Sequence, residues 1–505
     1  MSLYLSLSHV FFEYDSSAEP LFRDLTLQLS SGWTGIVGAN GSGKTTLLKL
    51  IAGQLVPSAG TVRAGGCCRL CEQSVDVPPR DAAGFLESCE YEAVRLRERL
   101  YIEPEMLERW ESLSMGERKK IQIGTALYWK PDILCIDEPT NHLDYAAREL
   151  LMSSLLEFRG IGVLVTHDRM LADALCRQCL FLRRNGVALR SGGISQGAAE
   201  EEMEQEQSRQ EYRLLKRELK RSAAELQRRR EKEQKAERNN SKRRIAGKDY
   251  DAKGKIDLAR VSGRSRTAGD LAGAQAKIVA DKRAELEAFE VAKKHTLGLR
   301  IPYGSRSPRN FLLEFPAREI RLGGEKRLLV PDLEIKSADR IALTGINGSG
   351  KSSLLRRLVK ELNLDEEHVL YLPQELEHEM RGRIYDALRR LGRGEFSRVM
   401  NVVASLGSVP ERVLESRTCS PGEWRKLFFG LGVLKPIHLI IMDEPTNHLD
   451  YPSIACLEAA LRDVECALLL VSHDLIFLKN LCSLHWRIES GGEKRNLLKK
   501  ELWRI

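Results

Sequence analysis

Gly38-x-x-x-x-Gly43-Lys44-Thr45 has the residue types and spacing of a loop that cradles phosphates, and Gly345-x-x-x-x-Gly350-Lys351-Ser352 repeats it. Glycines let backbone N–H groups close around phosphate oxygens, and a following helix N-terminus adds positive dipole. A lysine at this position reaches the β/γ-phosphates, and the next hydroxyl suits Mg²⁺. The candidate nucleotide ligands are therefore Gly38, Asn40, Gly41, Gly43, Lys44, Thr45 and Thr46. Their second-copy counterparts are Gly345, Asn347, Gly348, Gly350, Lys351, Ser352 and Ser353. Downstream, two apolar runs end in paired carboxylates, Asp137-Glu138 and Asp443-Glu444. An Asp at a strand end can hold Mg²⁺ or its water, and the adjacent Glu can orient an attacking water as general base. A lone Asp-Glu pair is usually a turn; behind an apolar run and a phosphate loop it reads as hydrolytic. His167 and His473 each lie 29 residues past their Glu (167 − 138 and 473 − 444), which marks both as functional.

These side chains need a strand before each phosphate loop and a helix after it. Thr34-Gly-Ile-Val37 and Thr46-Leu-Leu-Lys-Leu-Ile51 supply them in the first copy, and Arg340-Ile-Ala-Leu-Thr344 supplies the second strand. The string DEPTNHLDY occurs at Asp137–Tyr145 and again at Asp443–Tyr451, an offset of 306 (443 − 137). The period far exceeds that of solenoid repeats, so the chain contains two homologous α/β domains, residues 1–190 and 306–505. Residues 191–305 between them are nearly free of aromatics and highly charged. Glu200 to about Arg238 reads as a long solvated helix with sparse leucines (Leu214, Leu215, Leu219, Leu226). Asn239-Asn-Ser241 interrupts it, Gly247, Gly254, Gly263 and Gly269 read as loop, and helix character returns from Leu271 to about Lys294. A helical hairpin is expected, with a disordered charged linker as the alternative.

Ser114-Met-Gly-Glu117 and Ser420-Pro-Gly-Glu423, just upstream of the carboxylate strands, resemble the signature motif of ATP-binding-cassette (ABC) ATPases. The resemblance implies two P-loop ABC-type nucleotide-binding domains joined by an α-helical hairpin linker, hydrolysing ATP with Mg²⁺. It makes Ser114, Gly116, Ser420 and Gly422 nucleotide contacts, and His167 and His473 switch histidines. Gln73 and Gln374 become Q-loop glutamines that join Thr45, Asp137, Ser352 and Asp443 around the metal. In that superfamily two cassettes pack head to tail, which pairs Lys44 with Ser420 and Lys351 with Ser114. Tyr14 fits the adenine-stacking aromatic of the first site. At the matching second position stands Ile320, with Phe315 the nearest aromatic. Cys419 replaces the Leu that stands at Leu113 in the first copy. Both sites are expected to hydrolyse ATP.

Two cassettes, a charged helical linker and a doubled DEPTNHLDY resemble the ABC-F family of soluble ATPases, mostly ribosome-bound translation factors or antibiotic-resistance ribosome-protection proteins. The interval from Gln73 to Ser114 is 41 residues and that from Gln374 to Ser420 is 46, leaving no room for an inserted arm. The chain ends shortly after the second cassette, without a C-terminal coiled coil. An armless, tailless chain with a long linker resembles the resistance-type members, whose linker tip reaches toward the peptidyl-transferase centre. The alternatives are a housekeeping ABC-F translation factor, a DNA-associated cassette ATPase and a transporter ATPase subunit. The implied partner is the ribosome through rRNA, with P-site tRNA as a further candidate. The chain is expected to be a monomer whose cassettes pair within it.

Composition fits this organisation. Lys+Arg number 79 and Asp+Glu 71, a net +8. Residues 200–300 hold 27 basic and 19 acidic side chains, so the linker accounts for the whole excess. Residues 228–266 alone hold 15 basic and 6 acidic ones. The RNA-contact candidates are Arg228, Arg229, Arg230, Lys242, Arg243, Arg244, Lys248, Tyr250, Lys253, Lys255, Arg260, Arg264 and Arg266. Tyr250, the only aromatic in the tip, reads either as a ring that stacks on a base or as an exposed loop tyrosine with no such role. Apolar runs such as Ala467–Val471 are far short of the roughly 20 residues that span a bilayer. No signal peptide is evident, so a cytoplasmic, reducing location is expected. Most of its 11 cysteines then read as small buried hydrophobes. Cys68-x-x-Cys71 and Cys176-x-x-Cys179 have the spacing of metal pairs or redox dithiols, but no His at ligand spacing accompanies either, which favours a structural role.

Overall fold

The computed structural model describes residues 3–15, 20–141, 143, 145–183, 186–239, 264–293, 299, 301, 303–324, 326–408, 410, 419–447, 449–492 and 495–503. They form two compact units, residues 1–197 with 298–505, and residues 198–297.

In the first unit the duplication appears as two sheets with one strand order. The first runs Cys68–Cys71, Ile133–Asp137, Ile161–Val165, Gly32–Gly38, Cys176–Arg183, Gly186–Ser191. The second runs Val369–Leu372, Leu439–Asp443, Ala467–Val471, Arg340–Gly345, Leu484–Ser490, Arg495–Leu502, and continues into the hairpin Lys326–Val330 and Arg318–Gly323. In each, the three strands leading up to the one that ends in the phosphate loop, that strand itself and the strand beyond it pair in parallel.

Strands covered on both faces read as unbroken apolar runs. Ile133–Asp137, Ile161–Val165, Leu439–Asp443 and Ala467–Val471 are buried at every position. Alternate side chains serve different layers. Ile133 and Cys135 pack with Leu47, Leu48 and Ile51 of the helix after the phosphate loop. Leu134 and Ile136 pack on the other face with Leu151, Leu155 and Leu171. Burial of this kind contributes about 1.5–3 kcal/mol per large side chain. It anchors the strand ends, where Asp137 and Asp443 sit. Smaller antiparallel sheets complete the cassettes: Phe22–Leu29, Leu5–Phe12 and Ala59–Ala64 in the first, Phe311–Phe315 with Leu333–Lys336 in the second.

The segments between Gln73 and Ser114 and between Gln374 and Ser420 fold into short helical lobes. Ala82–Leu86 and Tyr91–Leu100 close over Phe85, Leu100 and Trp110 in the first. His378–Arg390 and Arg393–Ser405 close over Ile384, Val399 and Val403 in the second.

The second unit is helical. The helix Ile194–Asn239 begins six residues before the expected start, and Arg264–Lys293 begins seven before. Gly269, expected in a loop, lies inside that second helix. A helical glycine costs about 1 kcal/mol against alanine, and the surrounding Ala, Arg and Leu outweigh it. The helices are antiparallel: Gln275 donates to the Ser222 carbonyl at 3.3 Å, and Lys282 pairs with Glu218 at 2.6 Å. Gln275 and Val279 are buried between them. No helix among the described residues is long and apolar enough to cross a membrane.

Candidate functional site

Each phosphate loop leaves the C-terminal end of a sheet's central strand and runs into a helix, Lys44–Ile51 or Lys351–Lys360. Gly43 and Gly350 cap those helices with φ of 95° and 105°, in the left-handed region where a side chain is strained. At Gly43 a Cβ would also meet Phe22 Cζ at 2.8 Å. Lys44 is buried and donates to the Gly38 and Ala39 carbonyls at 2.9 and 3.0 Å. Lys351 does the same toward Gly345 and Ile346 at 2.7 and 3.1 Å. Burial lowers the Lys44 pKa, while Glu138, Asp450 and Asp137 hold it up. The loop therefore already presents a desolvated cation where an anionic phosphate chain would sit.

Thr45 Oγ1 donates to Asp137 Oδ2 at 2.6 Å, and Ser352 bonds Asp443 in the second copy. Burial raises the pKa of both aspartates. Hydroxyl and carboxylate oxygens that touch are a fitting pair for Mg²⁺, which keeps several waters and takes few protein ligands. Gln73 lines the same open cavity of about 410 Å³ as Thr45, Asp137, Glu138 and Met115. Gln374 is exposed in the second copy.

Glu138 and Glu444 are buried at φ of 46° and 51°. A non-glycine residue there costs about 1–2 kcal/mol. The turn is held by Glu138 N donating to Val165 O and Glu444 N to Val471 O, both at 2.8 Å. It swings each carboxylate off its strand and toward the histidine. Glu138 Oε1 lies 3.1 Å from His167 Nε2, and Glu444 Oε1 lies 3.4 Å from His473 Nε2. Neither pair is aligned as a hydrogen bond, so each Oε1 is a buried acceptor without a donor. That is the state of an oxygen able to receive a proton from water. Burial, with help from Asp137, pushes the Glu138 pKa up to about 8. Burial alone leads for Glu444, pushed up to about 7. His167 is driven down to about 3 by burial and by Lys44, so it is a neutral imidazole.

The cassettes meet through contacts that the motifs did not indicate. Asn40 N donates to Asp450 Oδ2 at 2.6 Å, and Tyr451 N donates to His167 Nδ1 at 3.2 Å. The latter leaves the His167 proton on Nε2, on the Glu138 side but out of line for a hydrogen bond to Oε1. Arg148 donates to the His473 carbonyl at 3.3 Å. Arg169 donates to Glu458 and Asp474 at 2.9 and 3.2 Å. Asp450 belongs to the repeated string and was legible as part of it; Arg148, Arg169 and Glu458 carried no sequence signal. Ser114 and Ser420 cap the helices Met115–Tyr128 and Pro421–Gly432 in reciprocal capping boxes with Glu117 and Glu423. Both serines are exposed. Contacts across the pair include those of Asp450, Tyr451, Arg148 and Arg169.

Lys119 was also missed. It is buried and donates to the Glu72 and Asp137 carbonyls at 2.6 and 3.1 Å. Arg425, at the matching position, donates to Asp443 and Glu444 carbonyls at 2.9 and 3.0 Å. Tyr14 is half-exposed, and its hydroxyl meets Thr46 Oγ1 at 2.9 Å. Phe315 is not available for adenine: it is 1% exposed, in the second cassette's core. Ile320 is half-buried on an edge hairpin. Arg228, Arg229 and Arg230 lie on the first linker helix, where Arg229 pairs with Glu225. Lys242, Arg243, Arg244, Lys248, Tyr250, Lys253, Lys255 and Arg260 fall outside the described residues; Arg264 and Arg266 open the second linker helix.

A model of the ABC transporter family matches residues 22–141 and 330–447. Fold and doubled site thus define an ABC cassette ATPase with two nucleotide-binding domains that bind ATP. The tylosin resistance ATP-binding protein TlrC of Streptomyces fradiae is 28% identical, over 96% of this chain and 97% of its own length. The ribosome protection protein VmlR of Bacillus subtilis is 26% identical, over 96% of this chain and 87% of its own. The ATP-binding protein Uup of Caulobacter vibrioides is 28% identical, over 94% and 76%. The chain belongs to the ABC-F family of tandem cassettes.

Proposed function

We propose that this ABC-F ATPase acts on the ribosome in the cytoplasm, as a ribosome-protection factor that confers antibiotic resistance. The observation that carries the reading is the match, end to end, to relatives named for tylosin resistance and ribosome protection. Local charge supports it: residues 228–266 hold 15 basic and 6 acidic side chains, and phosphate backbones are recognised by such segments. The second helical lobe adds six arginines against three acids over residues 378–405. In this reading residues 1–190 and 306–505 are the motors and 191–305 the element that touches rRNA and P-site tRNA. The match to Uup favours a second reading, a housekeeping translation factor on the same ribosome.

In each site Lys44 or Lys351 holds the β/γ-phosphates. Thr45 with Asp137, and Ser352 with Asp443, hold Mg²⁺, with Gln73 and Gln374 beside them. The metal, when bound, neutralises charge on the transferring phosphoryl group. Glu138 and Glu444 orient the attacking water and take its proton on Oε1. His167 and His473 fix those carboxylates, and the signature serines contact the nucleotide of the opposite cassette. Binding of ATP closes the pair and hydrolysis releases it.

The test is sedimentation of the Glu138→Gln/Glu444→Gln chain with ribosomes. It should bind ATP, stay closed and co-sediment only when ATP is present. Absence of ATP-dependent co-sedimentation refutes the ribosomal reading. Susceptibility of expressing cells to a panel of ribosome-targeting drugs separates resistance from housekeeping.

A further inference from the structure

At the second ATP site a side chain reaches across the cassette pair: Arg148, from the first cassette, donates through NH1 to the His473 carbonyl at 3.3 Å. The same guanidinium is tied to its own cassette by Asp168 Oδ2 at 3.2 Å and by the Leu143 carbonyl at 3.1 Å. It is only 20% exposed, so it is held on three sides. At the matching position of the second cassette stands Ile454, buried in that cassette's core. No reciprocal guanidinium can therefore serve the first site from there.

The His473 segment is the one that sets Glu444. His473 N donates to Glu444 Oε2 at 3.2 Å, and the His473 ring faces Oε1. The peptide that carries the carbonyl accepting from Arg148 therefore belongs to the residue that fixes the candidate base. A fixed guanidinium on this carbonyl restricts rotation of the His473 backbone. Arg148 also places positive charge near the Glu444 carboxylate.

We propose that Arg148 is a positioning residue for the second ATP site, acting across the cassette pair by holding the His473 main chain so that Glu444 stays aimed at the attacking water. The first site has no equivalent. This rests on Glu138 and Glu444 being the bases of separate sites. The Arg148 guanidinium is bonded to Leu143, Asp168 and His473 and, among the described residues, not to the second phosphate loop, so it affects turnover and not ATP affinity. It acts only when the cassettes are paired, which ties second-site hydrolysis to closure.

Steady-state ATPase assays on the full chain test this. Arg148→Ile, which copies the second cassette's residue, is combined with Glu138→Gln, leaving the second site active, or with Glu444→Gln, leaving the first. In the Glu138→Gln chain kcat should fall roughly ten- to hundredfold, the scale of losing a supporting contact, with KM for ATP within about twofold. Arg148→Lys should recover part of it. In the Glu444→Gln chain kcat should not change. Arg169→Leu is the control: Arg169 bridges the cassettes through Glu458 and Asp474, so it should lower both backgrounds. Equal losses from Arg148→Ile in both backgrounds, loss in neither, or an inactive Glu138→Gln chain would overturn the proposal. Full turnover by the Glu138→Gln/Glu444→Gln chain would instead overturn the assignment of the two bases.

Discussion

The candidate bases make a stability prediction that can be worked from their surroundings. Glu444 is 3% exposed, and burial raises its carboxyl from 4.5 to about 7. The folded chain therefore holds this proton more tightly than the unfolded chain. Stability is full below about pH 4.5 and falls as pH rises toward 7, because the native state must then carry a buried charge. At about 1.4 kcal/mol per tenfold change in proton affinity, the loss is about 3 kcal/mol above pH 7. Glu138, raised to about 8, loses about 4–5 kcal/mol by the same arithmetic once the pH exceeds 8. Glu444→Gln keeps the shape and removes the titration. Without nucleotide and with a chelator present, it should melt above wild type at pH 8.5. For a cassette of about 200 residues, about 2–4 °C per kcal/mol puts the gap at roughly 6–12 °C. At pH 5 the gap should close. Thermal melts of both chains across that range are the assay. A gap that does not change with pH, or none at pH 8.5, would show that the carboxylate is solvated in the folded chain, and the argument from burial would fail.

Three further outcomes follow from individual contacts. Lys119→Met leaves the Glu72 and Asp137 carbonyls without their donor and should destabilise by about 1–3 kcal/mol, whereas Lys119→Arg should cost less because Arg425 already fills the matching place; denaturant melts that find Met no worse than wild type contradict this. Tyr14→Ala should raise KM for ATP about fivefold, as for loss of a stacked aromatic, in the Glu444→Gln chain only; an equal rise in the Glu138→Gln chain would mean that Tyr14 acts elsewhere. Reversing Arg228, Arg229 and Arg230 to Glu should weaken ribosome co-sedimentation and flatten its dependence on salt; an unchanged salt slope would remove these residues from the contact surface.

The phosphate loops, carboxylate strands and signature serines were legible in the sequence because each works through its own stretch of backbone. A glycine that must adopt φ of 95°, a serine that caps the helix it begins, and an aspartate at the end of a buried strand leave a local pattern. Duplication then made each pattern its own control. The helical hairpin was legible for a similar reason, although Gly269 misled because helix propensity is summed over a whole segment and one glycine does not decide it. Phe315, the aromatic nearest the matching position, lies in the core: aromatic character cannot say whether a ring faces ligand or core.

What the sequence could not contain is the asymmetry of the pair. The catalytic motifs match in the two copies, with Glu138 and Glu444, His167 and His473, in equivalent places. The differences the sequence does show, Tyr14 against Ile320 and Leu113 against Cys419, say nothing of how the cassettes meet. Tertiary structure alone set Arg148 against the His473 carbonyl and Arg169 between Glu458 and Asp474. These partners are separated by 289 to 325 residues along the chain, and the counterparts of the two arginines, Ile454 and Leu475, are ordinary apolar residues. A contact between distant segments depends on how two surfaces meet, and no periodicity or spacing within either segment records that. The motifs specify what each site can do; the packing of one cassette on the other decides that the two are not held alike.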